Sequence, residues 1–448
     1  MKKLYIILML IMTGLMTEAQ TSVWNGSRKL WTRGEGTADS PYLIESAENM
    51  AFLSYMVNTG FETQDLHFEL TTDIDLNGSE DMPWTPIGLG NNYFYEDGCE
   101  RTPESYYLPN NSFKGYFDGG GHKIYNIYIK DITIGGLFGS VEQPCEIKNV
   151  SVENGYIQNV VYGGGIVGKC NNTIVILNCS NNVDISGTYV GGILGYGPGK
   201  VCQCFNSGYI KGNTSAGGIS GILTKEITEC FNMGKVITIN GGDGCGGILG
   251  TTQRDVTIVN CYNTGRISGS ARFSGGIGGF VVKGIVKNCY NVGDLSNNEG
   301  IVGGIIGFNN FSGTADNLYY LNNCISESIG VAMSDVDMRD ETFVTVLNKD
   351  TNVWGYDKDN VNDGYPVLES FHLSTTETMA ATMSVYPNPA KGNFTLEGTG
   401  LLTIINILGQ KVMERTIEDH TIITLPEGMY LLRLTSGNAS ATRKVVVY

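Results

Sequence analysis

The sequence predicts an all-β fold: a parallel β-helix with helical caps, followed by a small C-terminal β-sandwich. Three observations carry this. A five-residue phrase, Gly-Gly-aliphatic-any-Gly, recurs seven times between Ile134 and Gly307. A second phrase, Asn-Cys-aromatic-Asn in its cleanest copies, keeps step with the first. No repeat holds ten residues of helical periodicity, which excludes helical solenoids.

The first phrase ends at Gly139, Gly168, Gly195, Gly221, Gly250, Gly279 and Gly307, at intervals of 29, 27, 26, 29, 29 and 28 residues. Its aliphatic residue should form one inward ladder. Its glycines should supply positive φ or close backbone approach at corners. The second phrase is clean at Asn260–Asn263 and Asn288–Asn291 and looser at Asn178–Asn181, Gln203–Asn206 and Glu229–Asn232. Its last residues, Asn181, Asn206, Asn232, Asn263 and Asn291, should stack at a second corner. Asn tolerates the left-handed region there, and its amide can bond its copies above and below. Roughly ten rungs at about 4.8 Å each would make a thin rod stabilised by neighbour stacking.

Five of the eleven cysteines, Cys179, Cys204, Cys230, Cys261 and Cys289, share one repeat position. Val150 and Leu318 hold it in the flanking repeats, so it reads as buried and apolar. Stacked copies lie about 4.8 Å apart with parallel side chains. A disulfide needs converging Cβ atoms about 3.8 Å apart. The column should therefore be reduced thiols acting as small hydrophobes. No Cys-x-x-Cys pair and no His accompany them, so no metal or other cofactor is expected. Cys99, Cys145, Cys170, Cys202, Cys245 and Cys324 lie off the column and have no pairing readable from spacing.

The 448 residues carry a net charge of −16 and no Lys/Arg cluster. That argues against nucleic acid or an anionic membrane as partner. Lys2 and Lys3 precede an apolar run, Leu4–Leu15, and Thr17 and Ala19 are small. Residues 1–19 thus read as an export signal, cut between Ala19 and Gln20. The run is too short for a membrane span, and no later stretch qualifies as a transmembrane segment.

Residues 20–64 form an N-terminal segment. It is polar and loop-like up to residue 43 and ends in a capping helix over Glu45–Val57, with Gly60 as its stop. Residues 65–325 form the β-helix. Phe68–Leu76 alternates apolar and polar and should be the first rung. Asn91–Ser112 is an excursion, and Phe113–Ile129 returns to rung character. Residues 326–370 form a C-terminal cap, with a helix over Asp337–Leu347 and Trp354, Tyr365, Pro366 and Leu368 closing it. Residues 371–383 are a linker. Residues 384–448 carry short β-type runs at Phe394–Leu396, Leu402–Ile405, Thr421–Leu425, Tyr430–Leu434 and Lys444–Val447, the spacing of a small sandwich.

The seven-fold phrase resembles the GLUG motif, found in bacterial surface proteins and in accessory parts of some immunoglobulin A peptidases. The resemblance spans Phe68 to about Leu368, including the preceding Phe113–Ile124. It implies a right-handed parallel β-helix outside the cell and no particular reaction. The C-terminal region resembles the type IX secretion sorting domain. The matching residues are Tyr386-Pro387-Asn388-Pro389, Ile404–Gly409, Gly428–Leu432 with Tyr430, and Lys444–Val447. That resemblance implies recognition by the type IX machinery at the outer membrane. The protein would then be secreted or held at the cell surface. Asn406 stands where the family pattern favours Asp.

No catalytic set emerges. Asp73, Asp75 and Asp118 could serve a polysaccharide lyase or hydrolase, but they read better as solvated or turn-capping residues. His122 reads as a rung-surface residue. No His-Glu-x-x-His or Gly-x-Ser-x-Gly is present. Asp357–Gly364 fits an acidic turn better than a calcium loop. The expected function is binding or adhesion toward a glycan or a host protein. A polysaccharide-active enzyme and a purely structural surface component are the alternatives. The aromatic groups of the excursion, Tyr93, Phe94, Tyr95, Tyr106 and Tyr107, are the candidate ligand contacts.

Overall fold

The computed structural model describes residues 21–90, 111–223, 225–295, 299–322, 329–372, 383–406, 411–417, 420–436 and 439–447. The strands of residues 22–333 pair in parallel, each with the strand one turn further on, and build a β-solenoid of about nine turns. One inward column runs Tyr42, Phe68, Phe117, Ile147, Ile176, Val201, Ile227, Ile258 and Val286. The aliphatic residue of the Gly-Gly phrase forms a second: Leu137, Ile166, Ile193, Ile219, Ile248, Ile277 and Ile305 are all 0 % exposed. Burying such a side chain is worth about 1.5–3 kcal/mol, and every rung repeats the gain against its neighbours.

The first turn begins earlier than periodicity suggests. Ser22–Val23 pairs with Ile74–Asp75, and Tyr42–Ile44 pairs with Phe68–Leu70. Residues 20–43 read as loop because strands of two and three residues cannot show alternation. Their pairing partners define them instead. The following helix, Ala47–Asn58, starts where the Ser46 hydroxyl accepts from the Asn49 N–H. It buries Ala47, Met50, Leu53 and Val57 in the solenoid core. Tyr42–Ile44 pairs only with Phe68–Leu70 among the described strands, so the helix follows directly on a terminal strand.

The Cys column is a ladder of free, buried thiols. Burial pushes the Cys179, Cys204, Cys230 and Cys261 thiols up, well away from the reactive range. The amide ladder is also formed. Nδ2 of Asn181, Asn206, Asn232 and Asn263 donates to Oδ1 of the next copy at 2.7–2.8 Å. Each also donates to the carbonyl two residues on. The left-handed backbone falls elsewhere in the phrase, at its first residue. Asn149, Asn178, Gln203, Glu229, Asn260, Asn288 and Asn317 all have φ between 49° and 55°. The fourth residue is spent on side-chain bonding, and the first makes the turn.

After the last rungs, the chain returns along the flank of the solenoid. Two short helices, Asp335–Arg339 and Glu341–Leu347, replace the single expected one. Asp340 ends the first and caps the second, accepting from the Thr342 N–H at 2.9 Å. The returning segment covers an outward aromatic ladder in which Phe205, Phe231, Tyr262 and Tyr290 stack at 5.0, 4.8 and 5.1 Å. Phe371, Trp354 and Phe343 pack edge-on or tilted against it. The Tyr290 hydroxyl donates to the Pro366 carbonyl at 2.5 Å.

The C-terminal strands form antiparallel sheets around Phe394, Leu396, Leu402, Ile404, Leu432, Leu434 and Val445. Two of its strands, Ser384–Lys391 and Lys411–Ile417, had no clear β-type run in the sequence.

Candidate ligand-binding furrow

Two columns of outward side chains flank each Gly-Gly phrase. The residue two before the phrase gives Tyr162, Tyr189, Ser215, Gly244, Phe273 and Ile301, in register from rung to rung. The residue just after it gives Lys169, Tyr196, Ile222, Thr251 and Phe280, with Phe308 on the next turn. The chain bends so sharply between them that the two columns face each other. Ser215 Oγ lies 2.9 Å from Thr251 Oγ1, across the bend. The last Gly of the phrase permits this approach. A Cβ on Gly250 would sit 2.4 Å from Ser215 Oγ, and one on Gly195 would sit 2.8 Å from the Gly163 carbonyl oxygen. These glycines do not have positive φ, so close approach alone requires them.

The paired columns, here the furrow, meet along one line of the rod and carry aromatic groups at two places. Tyr162 stacks on Tyr189 at 5.7 Å and meets Tyr196 at 5.1 Å. Lys169 Nζ lies 5.1 Å from the Tyr162 ring centre. Further along, Phe273 stacks on Phe280 at 4.9 Å, and Phe308 stands edge-on to both. Arg272 lies over Phe273 at 5.0 Å. The three tyrosines, Phe280 and Phe308 are half-buried, leaving ring surface open. Between the clusters the line is filled by Ser215, Gly244 and Thr251, which are buried, and by the half-buried Ile222. Tyr189 and Phe273 are three rungs apart, about 14 Å. Rings with an apolar face and a polar edge suit a ligand that has both.

The furrow residues were not singled out from the sequence. Their signal was a constant offset from the phrase, obscured because the same positions also take Ser, Gly, Thr, Ile and Lys. The expected contacts Tyr93, Phe94, Tyr95, Tyr106 and Tyr107 lie outside the described residues. The two ends of that segment are described. Gly90 pairs with Asn111, and the Ser112 hydroxyl lies 2.8 Å from that of Ser140, one turn before Lys169 in the second column.

The acidic candidates have structural partners. Asp73 Oδ1 accepts from the Lys123 N–H at 3.1 Å and lies 3.0 Å from His122 Nδ1. Asp75 accepts from Asn77 N–H and Asn126 Nδ2 at 2.7 and 2.8 Å. Asp118 accepts from Gly120 N–H and Asn149 Nδ2, both at 2.9 Å. Asp357 takes three backbone N–H groups, from Val361, Asn362 and Gly364, at 2.8–2.9 Å. Among the described residues, no group of three or more His, Cys, Asp or Glu is placed to hold a metal ion. A shallow cleft of about 790 Å³ lies between Lys225, Arg254, Thr257, Ile285 and Ser312, with Asp255 bound to Lys283 at its rim.

Of the sorting-signal residues, Tyr430 is buried and its hydroxyl donates to the Pro426 carbonyl at 3.0 Å. A Cβ on Gly428 would approach that hydroxyl to 3.2 Å. The backbone of Lys444 pairs with Leu431. Gly409 lies outside the described residues, as do Ala19 and Gln20. Pro387, Asn388 and Pro389 lie in the strand Ser384–Lys391, where the pairing with Asn393–Glu397 breaks register.

Residues 384–448 match the family described as a secretion system C-terminal sorting domain. The protein is therefore a secreted or cell-surface protein of β-helical fold, addressed to the type IX machinery. Among the described residues, no helix is long and apolar enough to cross a membrane. The chain is also similar to parts of much longer proteins. It is 30 % identical over 141 residues to a protein of Evansella cellulosilytica provisionally named a Gly-rich membrane protein, covering 30 % of this chain and 14 % of that one. It is 26 % identical over 197 residues to halomucin of Haloquadratum walsbyi, covering 40 % of this chain and 2 % of that one. The chain thus spans only a small part of the curated relatives it matches. A solved structure from Bacteroides ovatus, provisionally named an immunoglobulin A1 protease, superposes with a TM-score of 0.47 at 21 % identity, over 75 % of this chain and 94 % of that one.

Proposed function

We propose that this is a binding or adhesion protein, a GLUG-type β-helical rod displayed outside the cell that holds an extended glycan in its furrow. The carrying observation is a pair of aromatic clusters on one line of the rod, the half-buried Tyr162, Tyr189 and Tyr196 and the half-buried Phe280 and Phe308 packed on the buried Phe273. Each offers ring faces for stacking on the apolar faces of sugars. The hydroxyls and cations beside them offer hydrogen bonds. Function sits on outward positions, which the repeat leaves free to vary while its inward positions keep the core.

A glycan array probed with the full chain tests this. Binding to a defined oligosaccharide, lost when Tyr162, Tyr189 and Tyr196 are replaced together by Ala, is the expected result. An array with no binding, or binding untouched by that replacement, overturns it. Turnover of any sugar, abolished by Asp73→Asn or Asp118→Asn, would establish the enzyme reading instead. The aromatic groups Tyr93-Phe94-Tyr95 and Tyr106-Tyr107 are proposed as a further contact, because the described residues on either side of them pair, Gly90 with Asn111, and the adjoining Ser112 meets Ser140 in the second column. Replacing them by Ser should weaken binding to the same oligosaccharide. The export signal belongs to the same proposal, and mass analysis of the secreted protein should find Gln20 at its N-terminus.

A further inference from the structure

The sorting domain touches the solenoid through charged and polar side chains rather than through its own apolar core. Lys235 Nζ meets Glu397 Oε1 at 2.5 Å, and their side chains are only 23 % and 8 % exposed. The Tyr209 ring lies 5.7 Å from the same ammonium. A second contact lies beside the first. Arg443 donates to Asn182 Oδ1 at 2.9 Å and also to Asn154 Oδ1. Asn154 and Asn182 lie on paired neighbouring strands, so one guanidinium bridges two rungs. Glu397 and Arg443 come from two different strands of the sorting domain, Asn393–Glu397 and Ala439–Val447. The two points fix orientation as well as proximity. An ion pair this well shielded differs from an exposed one: breaking it strands a charge in a poorly solvated place, whereas exposed pairs contribute little. Arg is suited to such a bridge by its rigid fork of donors.

We propose that the sorting domain docks on the flank of the β-helix through a two-point clasp, Lys235 with Glu397 and Asn154 and Asn182 with Arg443, so that it is held folded back against the rod rather than free on its linker. The partner of this flank is therefore a segment of the same chain. The surface around Asn182 and Lys235 is covered while the sorting domain is present and becomes accessible when it is detached. Asn182 and Tyr189 share one strand, so the covered patch ends on the order of 20 Å short of the furrow. Docking and glycan binding are thus independent.

Zero-length carbodiimide coupling of the full chain, read by peptide mass spectrometry, tests the clasp. An amide between Lys235 and Glu397 is expected. It should vanish in Lys235→Glu and return, with the roles exchanged, in the double variant Lys235→Glu/Glu397→Lys. The Lys287–Asp350 pair, 2.9 Å apart within the rod and its returning segment, is the internal control for folding. Coupling at the control pair with none at Lys235–Glu397 overturns the proposal. Small-angle scattering provides a second check: a compact particle that becomes elongated in Lys235→Glu supports the clasp, and an elongated wild-type particle overturns it.

Discussion

Gly218 lies against the side-chain amide of Asn232: a Cβ on Gly218 would fall 2.3 Å from Asn232 Cγ. The same contact joins Gly165 to Asn181, Gly192 to Asn206, Gly247 to Asn263 and Gly276 to Asn291. The two phrases of the repeat are therefore complementary halves of one contact. The second Gly of one phrase makes room for the last Asn of the other.

Gly218→Ala should destabilise the protein by about 1–3 kcal/mol through overpacking. Asn232→Ala should cost a similar amount, because it takes the partner from Asn206 Nδ2 and from Asn263 Oδ1. The double variant should cost less than both together, since removing the amide relieves that part of the clash, while the 2.1 Å approach to the Gly247 carbonyl oxygen remains. Urea unfolding of the four proteins measures the coupling, and strict additivity would refute the contact.

The left-handed column contains two residues that are poorly suited to it. Gln203 and Glu229 both have φ of 50°, where the equivalent residues are Asn. Asn tolerates this conformation better than longer side chains do. Replacing both by Asn should stabilise the protein by about 1 kcal/mol, with a higher urea midpoint. Loss of the 3.1 Å Gln203–Glu229 bond is offset by an Asn–Asn bond like that between Asn288 and Asn260.

The thiol column should be chemically silent. Among the described cysteines Cys202 alone is not fully buried, and burial raises its thiol too. In a Cys99→Ser/Cys324→Ser background, a thiol reagent should modify Cys202 slowly and the column only on unfolding. Cys230→Val should be tolerated, because Val150 holds the same position, whereas Cys230→Asp should abolish folding.

Docking of the sorting domain should strengthen as pH falls. Burial pushes the Asp184 carboxyl up to about 6, against the opposing pull of Arg443 and of the Tyr209 N–H, with Glu397 adding to the rise. A carboxyl with a raised pKa disfavours the docked state when ionised. That cost is fully present above about pH 6 and is relieved as pH falls toward the ordinary carboxylate range near 4. Carbodiimide-free scattering at pH 8 and pH 5 measures it, in a His420→Asn background because His420 lies 3.2 Å from Glu397. Asp184→Asn should remove the difference.

Each furrow ring replaced by Ala should weaken glycan binding about tenfold, the equivalent of about 1.4 kcal/mol. Isothermal titration of Tyr196→Ala and Phe280→Ala against the array hit measures it. Wild-type affinity in both variants would place the ligand elsewhere.

The solenoid was legible because its inward positions repeat. Ile166 through Ile305 and Cys179 through Cys289 recur at a fixed period and admit few residue types. Three features escaped. The turn formed by Ser22–Val23 and Tyr42–Ile44 carries neither phrase, so nothing in the sequence marks it. The left-handed residue was read as the fourth of the second phrase, because clean copies have Asn at both places. Gln203 and Glu229 show by position that the turn tolerates other residues, whereas the buried amide ladder does not. The furrow pairs residues such as Ser215 and Thr251, 36 positions apart, and only the bend at the intervening glycines brings them together.

The amide ladder has a direction. Every copy from Asn181 to Asn263 donates to the next, and Asn181 Oδ1 is left without a hydrogen-bond partner at the start. Because each link in this chain of amides is interchangeable with the next, excising one whole period, such as Ser207–Asn232, would set Asn206 against Asn263 and close the gap with the same bond. For the amide ladder itself, rod length is therefore adjustable by whole periods. Duplication or loss of a period alters the length of the rod by one rung without redesigning the core or a turn, and calls for adjustment only where the returning segment and the sorting domain lie against it.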